Sequence, residues 1–213
     1  MPTRTLSTSS LHALTLAALL TISPIAFAQQ QATTQHSKDT ITATGEGNSV
    51  GIRGRALQLS GHSIKVGDKL PSATLVGENM APIDLAAGAG KVRVLSIVPS
   101  IDTATCEAQT HELSETTRGL DKLVQLVTIS MDLPFAQRRF AKEAKISNVT
   151  FLSDYRGASF GNNAGLLQKQ SQLLARAVLV VDKDNVVRHM QVMPDMSFLP
   201  DMEQAFKVAK GLL

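Results

Sequence analysis

Among 213 residues there is one cysteine, Cys106, and so no internal disulfide can form. Tryptophan is absent and tyrosine occurs once. That excludes an aromatic platform on which nucleic-acid bases could stack. An excess of one charge is also missing: 21 Lys and Arg stand against 18 Asp and Glu, interspersed without a basic block. Such a balance describes an ordinary solvated surface, not a nucleic-acid patch. The histidines at 36, 62, 111 and 189 are scattered, and His111 lies too far round a helix from Cys106 to form a ligand pair. No metal site is expected from them.

The first residues have their own pattern. Arg4 is followed by an apolar stretch from Leu11 to Leu20, a break at Thr21-Ile22-Ser23-Pro24, and small residues in Ala26-Phe27-Ala28. This is the form of a cleaved secretory signal over residues 1–28, cut before Gln29. The apolar stretch is about half the ~20 residues that a membrane-spanning helix needs. An exported, periplasmic protein with no membrane association after cleavage is therefore expected. Residues 29–54, rich in Gln, Thr, Ser and Gly, read as a flexible leader.

From residue 55 the pattern becomes that of a folded domain running to 213. ALQLSGHSIKVG alternates about Ser60-Gly61 and predicts an N-terminal β-hairpin. Two short strands flank Gly77-Glu78-Asn79, and KVRVLSIV (91–98) predicts a buried strand. A helix is expected over 104–118 with Gly119 as its C-terminal cap. Then come a strand over 122–130, a helix opened by Pro134, and a strand over 149–154. A short helix or loop follows at 158–166, then two strands about the turn Asp182-Lys183-Asp184-Asn185, and a last helix near 200–213. The order gives an α/β domain with a mixed central sheet and helices on both faces. Asp182–Asn185 lacks the glycine and closing glutamate of a calcium loop and reads as a β-turn. Asn148-Val149-Thr150 matches a glycosylation sequon but opens a strand. Methionines 190, 193, 196 and 202 read as core filling.

Cys106 sits three residues after Thr103, in PSIDTATC, immediately after the strand 91–98. A threonine at that place can cap a helix. A residue three further on lies in the first turn, where backbone N–H groups have no intrahelical partner and the helix dipole is positive. A thiolate there is favoured. Thiolate formation alone does not make a fast nucleophile. Taking a thiol from pKa about 8.5 to about 6 raises its ionised fraction about 30-fold at pH 7. The accompanying loss of nucleophilicity returns about 10- to 18-fold. Speed requires groups that polarise the electrophile: the Thr103 hydroxyl is one candidate, and a cation supplied by the fold is another. Spacing alone leaves open a second possibility, a small buried hydrophobe.

PSIDTATC resembles the PxxxTxxC signature of peroxiredoxins, through Pro99, Thr103 and Cys106, and the thiol peroxidase subfamily in particular. DLPFAQRRF (132–140), LARAVLVVD (174–182) and PDMEQAF (200–206) resemble further segments of that subfamily, collinear from about residue 55 to the end. The resemblance implies a thioredoxin-like fold, often a homodimer, that reduces hydrogen peroxide and alkyl hydroperoxides without metal or bound cofactor. It implies that Cys106 attacks the peroxide, that Thr103 and Arg176 hold thiolate and substrate, and that Pro99 shields the pocket. The chain departs from the pattern in three ways. Ala141 stands where the resolving cysteine belongs, MPDMSF lacks the usual acidic-Ile-Thr run, and the signal implies export. An external thiol or dithiol protein is then the expected reductant. The competing reading is a non-catalytic redox sensor or binding protein that acts through mixed disulfides.

Overall fold

The computed structural model describes Met1, residues 35–88 and residues 90–213. The expected signal, residues 1–28, lies outside the described residues apart from Met1, as does the start of the leader. Ten strands and four helices follow: β1 Ser49–Ile52, β2 Arg55–Ser60, β3 Thr74–Val76, β4 Pro82–Asp84, β5 Arg93–Ile97, α1 Ala104–Glu115, β6 Gln125–Ser130, α2 Pro134–Glu143, β7 Val149–Ser153, α3 Ser159–Asn163, β8 Leu167–Gln168, β9 Ala177–Val181, β10 Val187–Val192 and α4 Met202–Lys210.

Seven strands make one mixed sheet in the order β10-β9-β5-β6-β7-β3-β4. β5, β6 and β7 are parallel, and β9 runs antiparallel to β5. Every residue of β5 and β9 is buried, as near-continuous apolar runs require when both faces of a sheet are covered. On one face Leu113 of α1 packs with Met202, Ala205 and Phe206 of α4 over Val94, Val178 and Val180. On the other, Ala158 and Phe160, around the start of α3, join Leu57 and Leu59 of β2 over Leu95, Ile97 and Ile129. This is the expected thioredoxin-like arrangement, a mixed central sheet flanked by helices. Parallel strands joined by helices leave the loops at their carboxyl ends free to carry a site, and α1 begins at the carboxyl end of β5.

The structure corrects the expected leader. From residue 35 onward it belongs to the fold. Ile41 N–H donates to the Val192 carbonyl, Gln191 Nε2 donates to the Ser37 and Asp39 carbonyls, and Thr40 Oγ1 accepts from Val192 N–H. These bonds occupy the open edge of β10, which polar backbone can satisfy without apolar side chains. Thr44 is fully buried, and its hydroxyl accepts from Ile64 N–H at 3.0 Å.

The hairpin is also displaced. It joins β1 to β2 around Arg53 and Gly54, both at positive φ, which suits a two-residue hairpin turn. Gly61 does not turn a hairpin. It lies against the Asn162 backbone, the His62 N–H donates to the Asn162 carbonyl, and β2 pairs instead with β8. The Cys106 helix is shorter than 104–118. It ends at Glu115, and Gly119, at φ 87°, begins the next turn.

Candidate active site

β5 delivers the chain into the loop Pro99–Asp102, with Pro99 half-buried. The loop is tied from the β6–α2 turn. Asp132 accepts from Ser100 Oγ at 2.7 Å and from Ile101 N–H at 2.8 Å. Asp132 falls within DLPFAQ, and sequence reasoning assigned it no role. A carboxylate separated by 32 and 31 residues from its two partners carries no local signal.

Thr103 is the N-cap of α1: its backbone is extended and its carbonyl accepts the first helical bond, from Glu107 N–H at 2.9 Å. Cys106 therefore lies in the first turn, as its spacing predicts. The expected role of the Thr103 hydroxyl is not seen. It makes no cap hydrogen bond and donates instead to the Ser100 carbonyl at 3.4 Å. Thr103 is exposed, and a hydroxyl facing the loop leaves the sulfur to other partners.

The sulfur's polar partner is the cation. Arg176, just before β9, donates from Nη2 to Cys106 Sγ at 3.4 Å. The guanidinium is held on two further sides. Nε donates to the Met196 carbonyl at 2.9 Å, and Nη1 donates to Gln109 Oε1 at 2.7 Å. Arg176 is 3% exposed and has no carboxylate partner among the described residues. The third side of the guanidinium therefore faces the sulfur with no carboxylate among the described residues competing for it.

Gln109 is the residue that sequence reasoning missed. It sits three positions after Cys106 on the same helix face and is fully buried. Its amide Nε2 donates to Ser96 Oγ at 2.9 Å and to the Ala177 carbonyl at 3.1 Å. These bonds fix which end of the amide faces Arg176. A buried glutamine on a helix that carries a nucleophile was the available signal. Met196 lies in the MPDMSF segment noted as atypical, and that segment's backbone holds the arginine.

Cys106 itself is 1% exposed and packs with Val98, Ile101, Ile146 and Phe151. The apolar packing and the guanidinium thus both bear on the same sulfur. Neither reading of the lone cysteine was complete alone. A sulfur in a low-dielectric pocket beside a fixed cation can act as a nucleophile whose developing charges are stabilised without solvent reorganisation.

The other candidates have structural explanations. His111 pairs with Glu107 and Glu115 along α1, and His36 pairs with Glu112 at 2.7 Å. Burial pushes the Glu112 carboxyl up, partly offset by His36. Asp182 accepts from Asp184 and Val186 N–H groups in the β9–β10 turn, as the β-turn reading requires. Asn148 donates to the Ser114 carbonyl. Met193, Met196 and Met202 are buried.

A model of the redoxin family matches residues 65–206. Similar proteins include a thiol peroxidase of Halalkalibacterium halodurans, 39% identical over 165 residues, which are 78% of this chain and 99% of the relative. Another is a thiol peroxidase of Streptococcus pneumoniae, 42% identical over 159 residues, which are 75% of this chain and 97% of the relative. Among solved structures, a peroxiredoxin-like protein from Aquifex aeolicus superposes with a TM-score of 0.73 at 32% identity, covering 79% of this chain and 99% of its own. A thiol peroxidase from Chromobacterium violaceum shares the fold, with a TM-score of 0.69 at 24% identity, covering 78% and 97%.

Proposed function

Since the chain belongs to the redoxin family, among its peroxiredoxins of the thiol peroxidase type, we propose that it reduces hydrogen peroxide and alkyl hydroperoxides through Cys106, in a one-cysteine cycle. The single observation that carries this reading is Arg176 Nη2 at 3.4 Å from the sulfur. The Cys106 thiolate attacks the nearer peroxide oxygen. The S–O bond forms as the O–O bond breaks, and the electron pair leaves on the distal oxygen, which takes up a proton to become water or an alcohol. Arg176 offsets the charge as it moves from sulfur to the leaving oxygen. Its guanidinium is held by Gln109 and Met196, so little reorganisation is needed. Pro99 and the loop tied by Asp132 keep water from the sulfur, and the exposed turn at Asp102–Ala104 is the side from which a peroxide enters. Thr103 is at that entrance. Its hydroxyl reaches the substrate only by leaving the Ser100 carbonyl.

The product is a sulfenic acid on the only cysteine of the chain. Its reduction requires a thiol from outside. Export to the periplasm follows from the signal pattern of residues 1–28. A homodimer is in keeping with the exposed Leu133 and Phe135, which follow Asp132 and border the active-site loop.

The test is to treat the purified protein with one equivalent of hydrogen peroxide, trap with dimedone and read the intact mass. An adduct at Cys106 within seconds is expected. Its absence would refute the peroxidase. The near-complete burial of the sulfur favours a second reading, a non-catalytic redox sensor, in which mixed disulfides form but peroxide reacts slowly. The rate of adduct formation separates the two.

A further inference from the structure

The cluster that encloses Cys106 has a second side. Ile146 and Phe151 belong to it, and Phe140, Ala141, Ala144 and Val149 pack against it. Between α2, β7 and the Gly77–Asn79 turn lies a cleft of about 860 Å³, and its lining includes Ala141, Ile146, Val149 and Phe151. The wall of this cleft is therefore part of the packing around the sulfur, and Ala141 contributes only a methyl group to it.

The polar groups of the cleft are arranged for a ligand. Gln137 lines it and is 1% exposed. Its Nε2 donates to Ser130 Oγ at 2.9 Å and to the Leu152 carbonyl at 3.0 Å, while its Oε1 is buried with no hydrogen-bond partner. A buried amide oxygen left unpaired costs free energy that an incoming N–H recovers. Arg138 and Lys142, one turn apart on α2, are exposed and form no ion pair among the described residues. Glu78 also lines the cleft, and its backbone carbonyl accepts from Arg138 Nη1 at 3.5 Å. Together these offer one buried acceptor, a lining with two cations and one acidic residue, and a small-residue wall shared with the sulfur.

We propose that this cleft binds the reducing co-substrate, and that the co-substrate is a small peptidic thiol bearing carboxylates. The inference rests on the peroxidase reading of Cys106. The ligand's carboxylates pair with Arg138 and Lys142, a peptide N–H donates to Gln137 Oε1, and its thiol lies at Ala141. The volume is that of a small-molecule site, whereas a docked protein would need a face of about 800 Å². When the first turn of α1 opens toward the cleft, the ligand thiolate attacks the sulfenic sulfur. The S–S bond forms and the S–O bond breaks. Hydroxide leaves and takes the thiol's proton to become water. A second thiol of the same kind attacks the ligand sulfur of the mixed disulfide. It releases the low-molecular-weight disulfide and returns Cys106 as a thiolate.

The experiment preforms the sulfenate with one equivalent of hydrogen peroxide and follows mixed-disulfide formation by rapid-quench mass spectrometry. Glutathione is compared with cysteamine, which has an ammonium and no carboxylate, at matched thiolate concentration. Glutathione should react with saturation and about tenfold faster, a difference of about 1.4 kcal/mol. Ala141→Phe should abolish saturation, and the exposed pair Arg138→Glu/Lys142→Glu should reverse the preference. The charge-reversed pair should form the sulfenate at the parent rate, and Ala141→Phe, which packs against the cluster around the sulfur, is compared only after its sulfenate has been preformed and quantified. Equal, unsaturable rates for the two thiols, or saturation that survives both variants, would overturn the proposal. So would reduction by dithiol proteins alone. If the parent forms no sulfenate, the peroxidase reading has failed. Binding of the redox-inert S-methylglutathione to the reduced protein, measured by calorimetry, then still decides the cleft: binding lost in Ala141→Phe supports it, and no binding to the parent overturns it.

Discussion

Gln109→Leu tests the site without touching the sulfur. In the folded protein the Gln109 side chain does two things at once. Its Oε1 receives Arg176 Nη1 at 2.7 Å, and its Nε2 donates to Ser96 Oγ and the Ala177 carbonyl. With leucine at 109 the shape is nearly kept, but Nη1 retains only the Thr105 carbonyl at 3.4 Å, a weak contact. The guanidinium then has one firm anchor, Nε to Met196, about which it can swing away from the sulfur. A hydrogen bond to a charged group contributes about 1.5–3 kcal/mol. If that amount is what holds Nη2 on the reacting atoms, its loss lowers the second-order rate of sulfenate formation by roughly ten- to a hundredfold. Ser96 Oγ, buried and bonded among the described residues by Gln109 alone, adds about 1–3 kcal/mol of lost stability. The assay is stopped-flow reaction with hydrogen peroxide, with a thermal unfolding midpoint taken in parallel. Gln109→Glu keeps the acceptor toward Arg176 and gives up the amide donor. It should therefore recover much of the rate while recovering little of the stability, a split that a merely structural residue would not show. A Gln109→Leu rate within twofold of the parent would refute the positioning role. Loss of rate in Gln109→Glu equal to that in Gln109→Leu would do so as well.

Other perturbations address separate parts of the molecule. Arg176→Lys keeps a charge but loses the planar fork that reaches Met196, Gln109 and the sulfur together. The peroxide rate should fall by more than about a hundredfold with the fold intact, as read by stopped flow and circular dichroism. Thr44→Val removes the acceptor of the buried Ile64 N–H and should cost about 1–3 kcal/mol in chemical denaturation. Unchanged stability would mean that the bond from Ile64 N–H to Thr44 contributes nothing to the fold. His189 is held below its ordinary value of 6.5 by burial, against a smaller upward pull from Asp201. The unfolded chain therefore takes up this proton at higher pH than the folded one. His189 contributes no pH dependence well above 6.5 and removes stability as pH falls through 6.5 toward the folded value. Denaturation midpoints of the parent should drop across that range, and those of His189→Leu should drop less.

Much of the fold could be read from local pattern. Val94–Ile97, broken only by Ser96, and Val178–Val181 are the near-continuous apolar runs that a strand covered on both faces uses. Pro134 opens α2 where a proline is tolerated. Asp182–Asn185 turns between β9 and β10. The hairpin was harder. Leu57, Leu59 and Ile64 alternate plausibly across Gly61, yet the pairing partner of β2 lies on its other side. A strand's alternation shows which face is buried but not which neighbour it bonds. The place of residues 35–48 in the fold is hidden from composition for a related reason. Their Gln, Thr and Ser residues bury little apolar surface, but they satisfy the open edge of β10 through backbone bonds that composition does not reveal.

The position of Cys106 in the first turn of a helix, straight after a core strand, was written in consecutive residues, because helix starts and strand runs are local patterns. So was the absence of a second cysteine, which rules out an internal disulfide. The pairing of the sulfur with Arg176, seventy residues away, could be expected only by resemblance. Its anchoring by Gln109 and Met196, the loop tie from Asp132, the turn of the Thr103 hydroxyl to the Ser100 carbonyl and the cleft behind Ala141 arise only when the strands are set side by side. Hydrogen bonds between residues distant in the chain depend on that assembly, and no spacing along the sequence encodes their directions.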